Sequence, residues 1–204
     1  FGALPFDLSA HPETDAIVFS SNKCLEAMPG IGVAVARIDR LVACAGTAGS
    51  WSLDLSDLYA HAMTYGWGSI RFTPAIQSLA AFEVALDLYD REGGQPARLA
   101  RYRENARVLW EGLVGLGLTP WLPQALQGPI IVNMLQPKDP AWQLQRFVDL
   151  LKRRGWLVSN FSTTAVPTLR VAAIGRLWPE DMARAVAAIG ETLAEMGVSR
   201  REAA

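Results

Sequence analysis

Three positions carry residue types whose placement suits chemistry. Only three of the nineteen basic residues are lysine (Lys23, Lys138 and Lys152), so composition alone gives little reason for a lysine at any one place. Lys23 directly follows an apolar, strand-like run and is flanked by Ser20, Ser21, Asn22 and Cys24, with no acidic neighbour nearer than Glu26. Desolvated in a pocket, such an amine loses proton affinity and becomes a nucleophile toward an aldehyde. A lysine at a strand end also commonly extends to water, so both readings stand. The second position is Arg71-Phe72-Thr73-Pro74, where Thr73 is the expected N-cap and Pro74 the first residue of a helix. A helix start with a hydroxyl cap favours an anion, and Arg71 just upstream strengthens that tendency; the alternative is an ordinary cap. The third is Arg170, inside the apolar strand-like run 168–174. A guanidinium there needs a partner, either a carboxylate or phosphonate ligand or a distant internal acid.

The elements that must hold these residues follow from the hydrophobic pattern. Strands are expected over 15–20 and 31–38, the second too apolar for a solvated hairpin and suited to cover on both faces. Helices are expected over 54–63 and 74–91, the latter ended by Gly93-Gly94, and over 96–116, where Arg98, Arg101, Arg103 and Arg107 read as a solvated outer face. From residue 117 onward the order is strand 128–135, helix 141–154, strand 156–159, strand 168–174 and helix 179–196, an α+β pattern. The Gly93-Gly94-Gln95-Pro96 break is the expected seam, dividing the end of an α/β domain over 1–92 from a small α+β domain over 93–204.

Composition narrows the function classes. Half of the 204 residues are hydrophobic and 19% are charged, enough apolar side chain for a packed core. A net charge of -1 is unlike the basic footprint of a non-specific nucleic-acid binder or polybasic membrane-surface protein, which leaves small molecules and protein partners. Cys24 and Cys44 form neither a disulfide framework nor a zinc-ligand pattern. His11 and His61 stand in unrelated segments, giving no metal centre or histidine-based triad. The charge-free stretch 112–137 is interrupted by Pro120, Pro123 and Pro129 and is not read as a membrane span; a cytoplasmic location is expected. The chain opens on Phe1 without a basic start or long apolar run, which reads as a fragment or processed product.

The run SSNKCLEAMPGIGVAVAR (residues 20–37) resembles the lysine segment of the 2-aminoethylphosphonate:pyruvate aminotransferases, class V enzymes of the fold type I pyridoxal-phosphate group. The resemblance continues through FGALPFDL (1–8), SLDL (52–55), RFTP (71–74), REGGQPARLARYREN (91–105), LQGPIIV (126–132) and LRVAAIGRLWPEDM (169–182), covering essentially the whole chain. It implies an α/β fold: the C-terminal part of a fold type I large domain followed by the small domain. It also implies transamination of 2-aminoethylphosphonate with pyruvate to phosphonoacetaldehyde and alanine, in a cytoplasmic homodimer.

The same resemblance implies the site residues. Lys23 is the lysine that bonds covalently to pyridoxal phosphate and then shuttles the substrate proton. Thr73 is the hydroxyl that reaches a cofactor phosphate across the dimer interface, and Arg170 holds the acidic end of the substrate. Asn22 and Glu26 accompany the motif without a chemical step. The family's glycine-rich phosphate loop, ring-stacking aromatic residue and pyridine-pairing aspartate belong to a portion preceding residue 1. Two local departures touch substrate choice: Ala27 stands in place of a more usual glycine, and residues 158–163 replace a Tyr-Pro-Gly-Lys type of segment. Two other readings are a catalytically silent dimerising or binding module, and a class V aminotransferase with another small amino donor.

Overall fold

The structure, a computed structural model, describes residues 2–160 and 164–198. Its contacts divide the chain into two units, Phe1–Glu92 and Gly93–Ala204.

In the first unit, β1 (Ala16–Ser20) pairs antiparallel with β2 (Gly32–Ala36), placing Ser20 opposite Gly32 and Ala16 opposite Ala36. Residues 21–31 form the connecting loop that carries Lys23. The expected two-sided cover of the second strand is not found: the pair is largely solvated within this unit, and Val18 is 73% exposed. A short helix α1 (Ile38–Ala43), not foreseen in the sequence, follows directly. Asp54 starts α2 (Leu55–Tyr65), its carboxylate accepting from the Ser56 and Asp57 amides at 2.8 and 3.2 Å. The long helix α3 spans Ile76–Glu92.

The second unit begins with α4 (Gly94–Gly115) and contains β3 (Ile131–Leu135), α5 (Leu144–Arg153), β4 (Thr168–Ala172) and α6 (Pro179–Met196). Strands β3 and β4 pair antiparallel, and a bridge from Pro120 to Met134 adds a short segment along the other edge of β3. The expected strand over 156–159 is absent. Instead the Trp156 amide turns back to the Leu151 carbonyl at 2.9 Å, closing the end of α5 after Gly155. The core face is filled by Val132 and Met134 of β3, Leu169 and Val171 of β4, Leu109 and Leu113 of α4, Phe147 and Leu151 of α5, and Met182, Ile189 and Leu193 of α6. Each fully buried side chain of this size contributes about 1.5–3 kcal/mol. Helix α4 crosses α6 closely enough that a β-carbon on Gly112 would lie 2.6 Å from Cγ2 of Val186.

The arginine face expected on α4 is only partly a solvated one. Arg103 and Arg107 are exposed, whereas Arg98 is buried and Arg101 donates to the Gly175 and Leu177 carbonyls at 2.8 and 2.9 Å. A helical turn between these pairs decides the difference: residues 98, 101, 102 and 105 share the inward face.

Candidate active site

Lys23 stands in a loop fastened at several points. The Ser21 amide donates to the Ile31 carbonyl and the Ala27 amide to the Ser21 carbonyl, both at 3.1 Å. The fully buried Ser21 hydroxyl donates to the Met28 carbonyl at 2.8 Å, spanning the base of the loop. Inside it, the Glu26 amide donates to the Lys23 carbonyl at 2.9 Å, and Glu26 takes a left-handed φ of 58°. That conformation is uncommon outside glycine and persists where the surroundings fix it. The tight turn sends Cys24 and Leu25 inward, against the amino-terminal segment at Gly2, and leaves Lys23 exposed. Of the two readings the sequence leaves open for this amine, a desolvated pocket or extension to water, the second describes it within this chain. Its Nζ makes no hydrogen bond or ion pair with the described residues.

The far end of the same loop meets α3. The Ser78 hydroxyl donates to the Pro29 carbonyl at 3.2 Å, and a β-carbon on Gly30 would lie 2.9 Å from the Ser78 oxygen. Gly30, at φ 123°, is therefore required both by its backbone and by this approach. The loop bearing Lys23 and the first turn of α3 are thus joined.

Thr73 lies just ahead of that helix but does not cap it. The first helical bond runs from the Leu79 amide to the Ala75 carbonyl, so α3 starts two residues later than the Thr73-Pro74 cap would place it. Thr73 is exposed, and its hydroxyl has no hydrogen-bond partner among the described residues.

Arg71 is already committed. Its guanidinium pairs with the Asp57 carboxylate, donates to the Trp51, Ser52 and Asp54 carbonyls, and stacks 5.1 Å from the Trp51 ring centre. With its side chain 7% exposed, it joins the 51–54 segment and α2 to the approach of α3, so it does not strengthen an anion site as the sequence suggested.

Arg170 belongs to the second unit, on the face of β4 that points away from the core. It donates to the Ser159 hydroxyl at 3.2 Å, which brings one of the departures from the family pattern next to it. Residues 161–163 of that departure lie outside the described residues, as does Phe1. Directly opposite Arg170 in the sheet is Asn133. Sequence reasoning passed over Asn133, although an amide inside the apolar run Ile131-Val132-Asn133-Met134-Leu135 is a detectable signal. It also passed over Ser21, whose burial nothing in the local pattern announces.

Among the described residues no cluster of three or more histidine, cysteine or acidic side chains could hold a metal ion, and no helix is long and apolar enough to cross a membrane.

No family model matches the sequence. The chain is 45% identical over 199 residues to a 2-aminoethylphosphonate–pyruvate transaminase of Burkholderia ambifaria, covering 98% of this chain and 52% of that protein. It is 43% identical over 198 residues to a protein of the same name from Pseudomonas fluorescens, covering 97% and 53%. It therefore spans about half the length of the curated relatives it matches. A pyridoxamine–pyruvate aminotransferase from Mesorhizobium loti superposes with a TM-score of 0.82 at 22% identity, over 97% of this chain and 50% of that one. The chain has the fold of one half of these aminotransferases.

Proposed function

We propose that this chain, a homologue of the 2-aminoethylphosphonate–pyruvate transaminases over one half of their length, is the C-terminal part of such an enzyme. The complete enzyme moves the amino group of 2-aminoethylphosphonate to pyruvate, giving phosphonoacetaldehyde and L-alanine. In this reading residues 1–92 end the large, cofactor-binding domain and residues 93–204 form the small domain. The observation that carries the proposal is the 45% identity, which extends across 98% of the chain.

The expected cofactor is pyridoxal phosphate, and the side chains present suit it. An aldehyde needs a primary amine that is not tied up by a carboxylate, and Lys23 Nζ has no such partner among the described residues. A phosphate oxygen needs a donor such as the exposed Thr73 hydroxyl. When bound, the cofactor supplies a carbonyl for amines and an electron sink for the carbon that loses its proton.

The chain's own residues then divide the remaining work. Lys23 Nζ would hold the cofactor covalently and, when free, would serve as the base that moves the proton at the substrate carbon. The bonds from Ser21 to Met28 and from Ser78 to Pro29 hold the loop so that the amine returns to one place. Arg170 anchors the acidic end of the substrate, phosphonate in one half-reaction and carboxylate in the other.

A homodimer in the cytoplasm completes the proposal. Support for the dimer, as distinct from the location, is the surface of the first unit, where Trp51, Tyr65 and Trp67 are 63–75% exposed, residue types enriched in buried protein contacts. The test of the central claim is reduction of the cofactor-loaded protein with borohydride, followed by mass spectrometry of the peptide containing Lys23. The cofactor mass is expected on Lys23 and absent in Lys23→Ala; a label on Lys138 or Lys152 instead would overturn the assignment.

A further inference from the structure

We propose that Asn133 makes the Arg170 end of the site select a phosphonate over a carboxylate. The inference rests on the reading that Arg170 anchors the acidic group of the substrate.

The backbone fixes how close the two side chains are. The Ala173 amide donates to the Ile130 carbonyl, and the Gln136 amide to the Pro167 carbonyl. Ladder bonds therefore fall on the pairs 130/173 and 136/167. Since bonded and non-bonded pairs alternate, 133/170 is a non-hydrogen-bonded pair, the closer kind. The outward bonds of β3 agree, since the Asn133 carbonyl accepts from the Trp121 amide at 3.1 Å on the other side. Directly opposed residues share a face, with β-carbons about 4.5–5.5 Å apart. The Asn133 carboxamide is therefore rooted beside the Arg170 side chain, on the face away from Val132, Met134, Leu169 and Val171.

Asn133 is also unfinished. Its Oδ1 is buried and has no hydrogen-bond partner among the described residues. Such atoms are rare because they are unfavourable, and a native one calls for an explanation. A leucine or valine would satisfy a purely structural position in this strand.

Ligand chemistry supplies the explanation. The parallel N–H pair of an arginine fork reaches both oxygens of a carboxylate, and no third oxygen remains. A phosphonate has a third oxygen, which is either charged or protonated at neutral pH. A carboxamide can serve both forms, donating from Nδ2 to the charged oxygen or accepting at Oδ1 from the P–OH group. Arg170 thus holds both substrate classes, and Asn133 adds a contact for one. Ser159 contributes by accepting from Arg170 Nη2 and fixing the fork.

The experiment compares wild type, Asn133→Ala and Arg170→Ala in the cofactor-loaded protein. Single-turnover rates are measured with 2-aminoethylphosphonate and with L-alanine, and methylphosphonate and acetate are titrated as non-reacting ligands. Asn133→Ala is expected to weaken methylphosphonate binding and lower kcat/KM for 2-aminoethylphosphonate by about ten- to one-hundred-fold, the loss of one charge-assisted hydrogen bond. Acetate and L-alanine should change by less than about three-fold, since they make no such bond. Asn133→Asp should be worse than alanine for methylphosphonate, because it sets an anion against an anion. Equal losses for both ligand classes, or no loss for the phosphonates, would refute the role of Asn133 while leaving Arg170 standing. If Arg170→Ala bound methylphosphonate as wild type does, the anchor itself would be wrong and Asn133 would lose its role with it.

Discussion

The crossing of α4 and α6 can be tested by adding a single methyl group. In Gly112→Ala the new carbon would lie 2.6 and 2.7 Å from the two γ-carbons of Val186 and 3.2 Å from its β-carbon. Carbon atoms in favourable contact sit about 3.5–4.0 Å apart, so roughly 1 Å of separation must be found. Valine cannot supply it by rotating, because one γ-carbon leaves the contact only as the other enters and χ1 is stiff in a helix. The helices must move apart instead, loosening Leu109, Leu113, Ile189 and Leu193 between them. Overpacking of this kind costs about 1–3 kcal/mol, and a helix separation belongs at the upper end. Against it stands the gain of about 1 kcal/mol from replacing a helix-interior glycine by alanine. The balance is a net destabilisation of about 1–2 kcal/mol. The double variant Gly112→Ala, Val186→Ala should reverse the sign of the first change, because the obstruction is gone and only the helical gain remains. A coupling of about 2–3 kcal/mol between the two sites is expected from urea unfolding midpoints at constant slope. A single variant Gly112→Ala with a higher midpoint than wild type would show that the crossing is not tight.

Arg71→Ala should destabilise the first unit by about 2 kcal/mol, since it strands a carboxylate and removes donors from three carbonyls. Asp57→Asn should cost less than about 1 kcal/mol, because that carboxylate is 40% exposed; equal effects in thermal unfolding would mean the carbonyl contacts contribute nothing. A pH series tests the cap of α2. The Ser56 hydroxyl, followed by the Asp57 and Ser56 amides, holds Asp54 below the usual carboxylate range against a smaller opposing effect of burial. A folded-state pKa below the unfolded one gives stability that is present above the unfolded value and lost as pH falls through the folded one. Unfolding midpoints should therefore hold from neutral pH to about pH 5 and drop below about pH 4, with a shallower drop in Asp54→Asn. Asp7, Asp39, Glu104 and Glu195 are lowered in the same sense, so an acid transition unchanged by Asp54→Asn would assign the effect to those carboxylates.

Helices were legible where period and punctuation agreed. Residues 179–196 read correctly to both ends because Pro179 opens the helix, Asp181 accepts from the Trp178 amide, and Gly197 closes it in the left-handed conformation. The start of α3 misled because Thr73-Pro74 is a valid cap in isolation; Arg71 and the segment it anchors hold those residues outside the helix, which is a tertiary effect. Arg98 and Arg101 misled because charge alone does not mark solvent: their side chains share the inward face of α4, and Arg101 meets backbone carbonyls 74 and 76 residues away. In the site, Arg170 stood out as a charge in an apolar run. Asn133 gained meaning only through register, which pairs it with Arg170, and no local pattern encodes that pairing.

Lys23 carries the largest disagreement, and its cause is specific. An apolar strand records how much cover it is made for, not which atoms provide that cover. The run at 31–38 is apolar enough for two covered faces, and the desolvated reading of Lys23 rests on the apolar run at 15–20 that precedes it. In the structure they form a solvated pair, with Val18 at 73% and Val35 at 42% exposure, and the amine at their end shares that exposure. The same unit leaves Trp51, Leu53, Tyr65 and Trp67 in water, so the mismatch belongs to the whole surface rather than to one side chain. If the proposed enzyme is right, whatever covers these strands also dries Lys23. Protection of the 16–36 amides from hydrogen exchange and of the Lys23 amine from acetylation should then rise together on going from this chain to the complete protein. Protection of the strands with Lys23 still freely acetylated in the cofactor-free protein would separate the two and remove the argument for a desolvated nucleophile.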